Sequence, residues 1–151
     1  LMCINRAQRY CVFNILMEAI QIMPSNFRLS SASYRKLEGV KLPLVRVVEL
    51  AIKKTGVDFA VIEGVRSPKR QRELYAAGAT KTLNSRHLTG HAVDLAAYVG
   101  GKLCWDWPLY HQIAAAMKEA AKELDIKIVW GGDWETFPDG PHFELDRKEY
   151  P

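Results

Sequence analysis

Ser85-Arg86-His87-Leu88-Thr89-Gly90-His91-Ala92-Val93-Asp94 is the stretch on which the reading turns. From His91 to Val99 the chain is apolar and reads as a strand, with Ala92, Asp94 and Ala96 sharing one face. Gly90 can bend the chain just ahead of it, so that His87, from the preceding loop, meets Asp94. A second stretch, Asp139-Gly140-Pro141-His142-Phe143-Glu144, again sets histidine and carboxylate side by side where a loop enters a short strand, His142–Leu145. Two histidines and one aspartate make a workable three-donor set for a divalent metal. Zinc accepts imidazole nitrogen and carboxylate oxygen, and a catalytic site leaves a fourth position for water. By spacing alone, each histidine reads as well as an ordinary surface or hydrogen-bonded residue.

Outward from these stretches, the punctuation predicts the other elements. Gly100-Gly101 is a hairpin turn and Lys102–Trp105 the returning strand. Asp106 and Pro108 open a long helix to about Leu124, and Ile126–Trp130 is a strand. Upstream, Ser31 or Ser33 caps a short helix through Leu37, which Gly39 ends. Pro43 starts the next helix, with Leu44, Val47, Val48 and Ala51 at helical spacing. Asp58–Glu63 is a short apolar strand, and Ser67-Pro68 opens a helix that Gly78 closes. Ala79–Arg86 is polar and loop-like. Helices come first, then strands with one long helix among them. The expected class is α+β: a small, mostly antiparallel sheet flanked by helices, with the metal site at the sheet edge.

The 151 residues and 48% hydrophobic content suit a single globular domain with a real core. No uninterrupted apolar run reaches the roughly 18–20 residues of a membrane span. Three cysteines, Cys3, Cys11 and Cys104, lack C-x-x-C spacing and argue against a disulfide framework or a thiolate zinc site. Residues 1–26 form an extension of unclear role, with an apolar stretch Cys11–Met23 broken by Asn14, Glu18 and Gln21. A signal or anchor there is disfavoured. Charge is uneven within a net of +4. Residues 27–86 carry 13 Lys/Arg against 5 Asp/Glu, and residues 87–151 carry 6 against 11. The basic part suggests an anionic partner. Nucleic acid is disfavoured, because aromatic interleaving and a known binding motif are lacking.

The first stretch fits S-x-H-x-x-G-x-A-x-D at every fixed position, and the second fits D-x-x-H. With Glu63-Gly64-Val65-Arg66-Ser67, Gln71 and Trp130-Gly131-Gly132-Asp133-Trp134, the chain from about Phe27 to Leu145 resembles the zinc peptidases that cut peptidoglycan peptides. That family includes D-alanyl-D-alanine carboxypeptidases and dipeptidases and the L-alanyl-D-glutamate endopeptidases of phage endolysins. The resemblance implies that 27–151 is a zinc peptidase domain. It implies His87, Asp94 and His142 as Zn²⁺ ligands, Asp139 as acid/base and Arg66 as the stabiliser of the anionic intermediate. Ser85 and Gln71 match positions held to contact substrate or support the scaffold. Aspartate in place of glutamate three residues before the last histidine looks like the endolysin branch.

The expected function is therefore that of a phage or prophage endolysin hydrolysing the L-Ala–D-Glu bond, leading to host lysis. A D-alanyl-D-alanine carboxypeptidase with the same metal mechanism, or a non-catalytic zinc domain that binds cell wall, are the alternatives. Peptidoglycan is the implied partner, with no stable membrane insertion and a monomeric chain. The protein would stay in host cytoplasm until a holin-type pore lets it reach the wall, and the basic segment would face that anionic wall. Several residues keep an ordinary reading beside the functional one. Asp139 suits a tight Asp-Gly-Pro turn, and Arg66 a surface charge after a strand. Glu144 reads equally as a partner of a zinc histidine and as an exposed strand residue. Asp133 and Trp134 read as lining the groove or bracing the metal loop, or for Trp134 as core. His91 reads as structural, His111 as solvated, and Lys69, Arg70 and Arg72 as an exposed helix face.

Overall fold

A computed structural model describes residues 26–151. The separate extension expected at 1–26 therefore lies outside the described residues, except for Asn26, as do Cys3 and Cys11. Cys104 is a half-buried free thiol.

Helix α1, Ser31–Leu37, is capped by Ser30, whose hydroxyl accepts from the Ser33 amide at 3.1 Å. The cap thus differs from the expected Ser31 or Ser33. Extended backbone falls one residue earlier, at φ −73 and ψ 161, and leaves the Ser30 oxygen facing the third helical amide. The Ser33 hydroxyl instead accepts from the Val61 amide at 3.1 Å and ties α1 to the sheet. Helix α2, Leu42–Lys54, has Pro43 in its first turn and buries Leu44, Val47, Val48 and Ala51 completely. Strand β1, Phe59–Glu63, precedes helix α3, Pro68–Ala76, capped by Ser67. A 3-10 turn, Arg86–Thr89, leads into strand β2, Ala92–Val99. Gly100 and Gly101, both at positive φ (57° and 78°), reverse the chain into β3, Lys102–Cys104. Helix α4, Trp107–Glu123, is followed by β4, Ile128–Trp130, a second 3-10 turn at Gly131–Asp133, and β5, His142–Leu145.

All strand pairs are antiparallel, in the order β1-β2-β5-β4, and β3 pairs with β2 beyond the end of β5. The central strand β2 has two buried faces, in keeping with its apolar run. Val93, Leu95 and Ala97 join Phe59, Val61, Phe143 and Leu145 in the core, together with Val47, Val48, Ile113 and Met117 from α2 and α4. Alternation sends Asp94 to the opposite face. There it pairs directly across the ladder with His142, while Ala92 pairs with Glu144. On the other side of β2, the register of β1 shifts between Val61 and Glu63, so that Glu63 lies opposite Asp94. Three polar residues of three neighbouring strands thus meet at one end of the sheet.

Candidate metal centre

Three donors converge at that end. Nε2 of His87 lies 3.1 Å from Asp94 Oδ1 and 3.2 Å from Nδ1 of His142, and that Nδ1 lies 3.2 Å from the same carboxylate oxygen. The far nitrogen of each imidazole is already engaged. Nδ1 of His87 is 2.7 Å from the carbonyl of Gly64, which can only accept, so that nitrogen carries the proton. Nε2 of His142 is 3.0 Å from Glu144 Oε2, whose other oxygen accepts from Arg147 at 3.0 Å. Both rings are held with an unshared nitrogen facing Asp94. Atoms this close repel unless a proton is shared between them or a cation lies among them. Two imidazole nitrogens and a carboxylate oxygen fit a catalytic zinc site with one position open, and His87, Asp94 and His142 could hold such an ion.

Local sequence explains the placement. Ser85 caps the first 3-10 turn, accepting from the His87 amide at 3.3 Å. Gly90 ends it at φ +73, where a side chain would also come within 2.5 Å of the Gly39 carbonyl. Gly64 is packed so closely under α1 that a Cβ would lie 1.9 Å from the Lys36 carbonyl oxygen. Its own carbonyl is thereby fixed against His87. Asp139 is held by its amide on the Gly131 carbonyl at 2.9 Å, and Trp130 Nε1 donates to the next carbonyl, Gly140, at 2.7 Å.

The cluster forms the floor of a cleft of about 680 Å³. Arg66, Ser85, Trp134 and Asp139 line it together with the three donors. Arg66, 7% exposed, donates to Glu63 at 2.6 Å, to Asp94 Oδ2 at 3.3 Å and to Gln71 at 2.7 Å. Gln71 is buried behind it and passes its amide to the Thr82 carbonyl at 2.7 Å, so its side chain braces the arginine from outside the cleft lining.

Burial pushes the Asp94 carboxyl up, but its close contacts with His142 and His87 outweigh it and hold the group well below the usual carboxylate range. Burial opposes a charge on His142, yet Asp94 and Glu144 at its two nitrogens raise its pKa to about 9. Asp139 moves upward, through burial first and then the charge of Asp94.

The remaining candidates fall into place around this floor. Glu144 is buried against His142 rather than exposed. Trp134 sets its ring 5.1 Å from that of His142, whereas Asp133 turns away to Lys118 at 2.6 Å. His91 meets Thr89 Oγ1 at 2.7 Å and stands outside the donor set. His111 is exposed at one edge and packs against Trp107 and Trp130. Lys69, Arg70 and Arg72 lie on an exposed helix face. Two supports had no sequence signal of their own: the Gly64 carbonyl, because any residue has one, and Glu63 opposite Asp94, because the β1 irregularity is invisible in the residues.

An α+β domain with a two-histidine, one-aspartate cluster at the floor of an open cleft fits a single-metal site. The family described as phage L-alanyl-D-glutamate peptidase matches residues 25–150, and the chain belongs to that family. The L-alanyl-D-glutamate peptidase of Escherichia phage T5 is 32% identical over 129 residues, which span 83% of this chain and 93% of the phage protein. The peptidoglycan L-alanyl-D-glutamate endopeptidase CwlK of Bacillus subtilis (strain 168) is 37% identical over 105 residues, 60% of this chain and 62% of that protein. Among solved structures, the L-Ala D-Glu endopeptidase ChiX of Serratia marcescens superimposes with a TM-score of 0.78 and 49% identity, covering 83% of this chain and 96% of ChiX.

Proposed function

We propose that this chain is a zinc peptidase that hydrolyses the L-Ala–D-Glu bond of peptidoglycan stem peptides, acting as the endolysin of a phage or prophage. The observation that carries this reading is the convergence of His87, Asp94 and His142 on one point of a cleft that also contains Asp139. Membership of the L-alanyl-D-glutamate peptidase family supports the choice of bond. Zn²⁺, when bound, supplies Lewis acidity and lowers the pKa of a bound water toward about 7.

The other parts belong to the chain. Asp139, with its carboxyl pushed upward, takes a proton from water in the cleft and returns it to the leaving amine. Glu63 and Gln71 fix the Arg66 guanidinium at the cleft wall. It meets the negative charge that develops on the scissile carbonyl oxygen in a partly dried site. Ser85 shapes the turn that presents His87 and edges the substrate path. Gln71 acts through Arg66. The protein works as a monomer from the host cytoplasm, reaching the wall when a holin-type pore opens. Among the described residues, no helix is long and apolar enough to cross a membrane.

The test is mass spectrometry of peptidoglycan fragments after incubation with the protein, with and without a chelator. The expected products carry a new D-Glu amino terminus, and chelation suppresses them. Release of terminal D-Ala with the L-Ala–D-Glu bond intact overturns the reading in favour of the D,D-carboxypeptidase.

A further inference from the structure

The cleft mouth carries a contact that the mechanism above does not use. The Lys81 ammonium lies 5.1 Å from the centre of the Phe137 ring. Both residues line the cleft, yet they come from different loops. Lys81 lies between α3 and the first 3-10 turn, and Phe137 lies in the segment that carries Asp139.

Each side is held in place. Phe137 adopts φ +57, a rare conformation for an aromatic residue, and stays 45% exposed. On the opposite lip, the residue after Lys81 is anchored through its own carbonyl, that of Thr82, to Gln71 and from there to Arg66.

The other cations lining the cleft are already engaged. Arg66 holds Glu63 and Asp94, Arg147 holds Glu144, and Arg86 donates to the carbonyls of Leu145 and Tyr150. Lys81 has no carboxylate partner among the described residues and keeps its charge available.

The substrate of the proposed reaction supplies a matching group. The scissile nitrogen is bonded to the α-carbon of D-Glu, and the stem continues through the γ-carboxyl of that residue. The α-carboxyl is therefore two bonds from the nitrogen being released, and when free it brings an anion into the cleft. We propose that Lys81, steadied over Phe137, binds this α-carboxylate. The cleft would then prefer walls whose D-Glu is free over walls in which it is amidated to D-isoglutamine. This rests on the peptidase reading and specifies its substrate class.

The test compares two stem peptides that differ only in α-carboxylate or α-carboxamide at D-Glu, using the full chain. The readout is the ratio of kcat/KM for the two. Lys81→Met should lower that ratio roughly 10–100-fold, the range of a lost charge-assisted hydrogen bond. Lys81→Arg should restore most of it, and Phe137→Ala should lower it by a smaller factor. An unchanged ratio in Lys81→Met overturns the proposal while leaving the peptidase reading intact. Wild-type protein that leaves the L-Ala–D-Glu bond whole in both peptides overturns that reading, and this proposal with it.

Discussion

Glu144 Oε2 lies 3.0 Å from Nε2 of His142, and Asp94 Oδ1 lies 3.2 Å from Nδ1 of the same ring. One carboxylate holds the back of the imidazole while the other faces the metal position. With Glu144 replaced by alanine, the ring keeps its strand but loses its fixed tautomer. Zinc affinity should fall about 10–100-fold, as for other lost partners of ligand histidines. Competition titration against a chromophoric chelator measures this, and wild-type affinity in the variant would count against the assigned role.

The two flanking carboxylates also set a pH dependence. In the metal-free protein His142 titrates at about 9, so below that pH a metal must displace a proton. Affinity should rise about tenfold per pH unit toward 9 and then level off. Calorimetry in buffers of different ionisation enthalpy should find about one proton released per zinc at pH 7. Affinity that is flat from pH 7 to about 9 would refute the competition. The sign for stability is opposite. The folded metal-free chain keeps a proton that the unfolded chain loses from about pH 6.5 upward, so its stability falls as pH rises through 9.

Asp139 lines the cleft but is not one of the three converging donors. Asp139→Asn should retain bound zinc and lose at least about 100-fold in peptide-bond cleavage, the lower range for a missing acid/base. Metal content and product release, measured on the same preparation, separate the two effects. A variant that cleaves at the wild-type rate would remove Asp139 from the mechanism.

Gly64 links packing to the site. A methyl group there would meet the Lys36 carbonyl at 1.9 Å, and any backbone shift carries the Gly64 carbonyl away from His87. Gly64→Ala should cost about 1–3 kcal/mol or more of stability. It should also weaken zinc binding. Thermal melting with and without zinc reads both effects, and a variant that melts and binds like wild type would show that the backbone absorbs the clash.

Most elements could be read from the chain because their signals are local. Ser67-Pro68, Gly78 and Gly100-Gly101 mark boundaries through their own backbone preferences, and the spacing of Leu44, Val47, Val48 and Ala51 marks a buried helix face. The donor set was legible because His87 and Asp94 share one motif and His142 stands in another. The supports were less so. Whether Glu144 faced His142 or solvent depended on the β2–β5 register, and Glu63 came to lie opposite Asp94 through an irregularity in β1. Both are decided by strand pairing, which the order of residues does not display. The cap moved to Ser30 for a related reason, since Ser33 is engaged with Val61 on the sheet.

The direct pairing of Asp94 with His142 also constrains the order of assembly. The donors at 87 and 94 are neighbours in the chain, but the third arrives only when β5 docks on β2. A chain folded short of that step offers a metal two donors, and a one-residue slip of β5 would turn His142 toward the core. Capture of a metal by these three donors would therefore be a late event that reports correct strand registry, and an ion bound by all three would favour the finished sheet over its misaligned competitors.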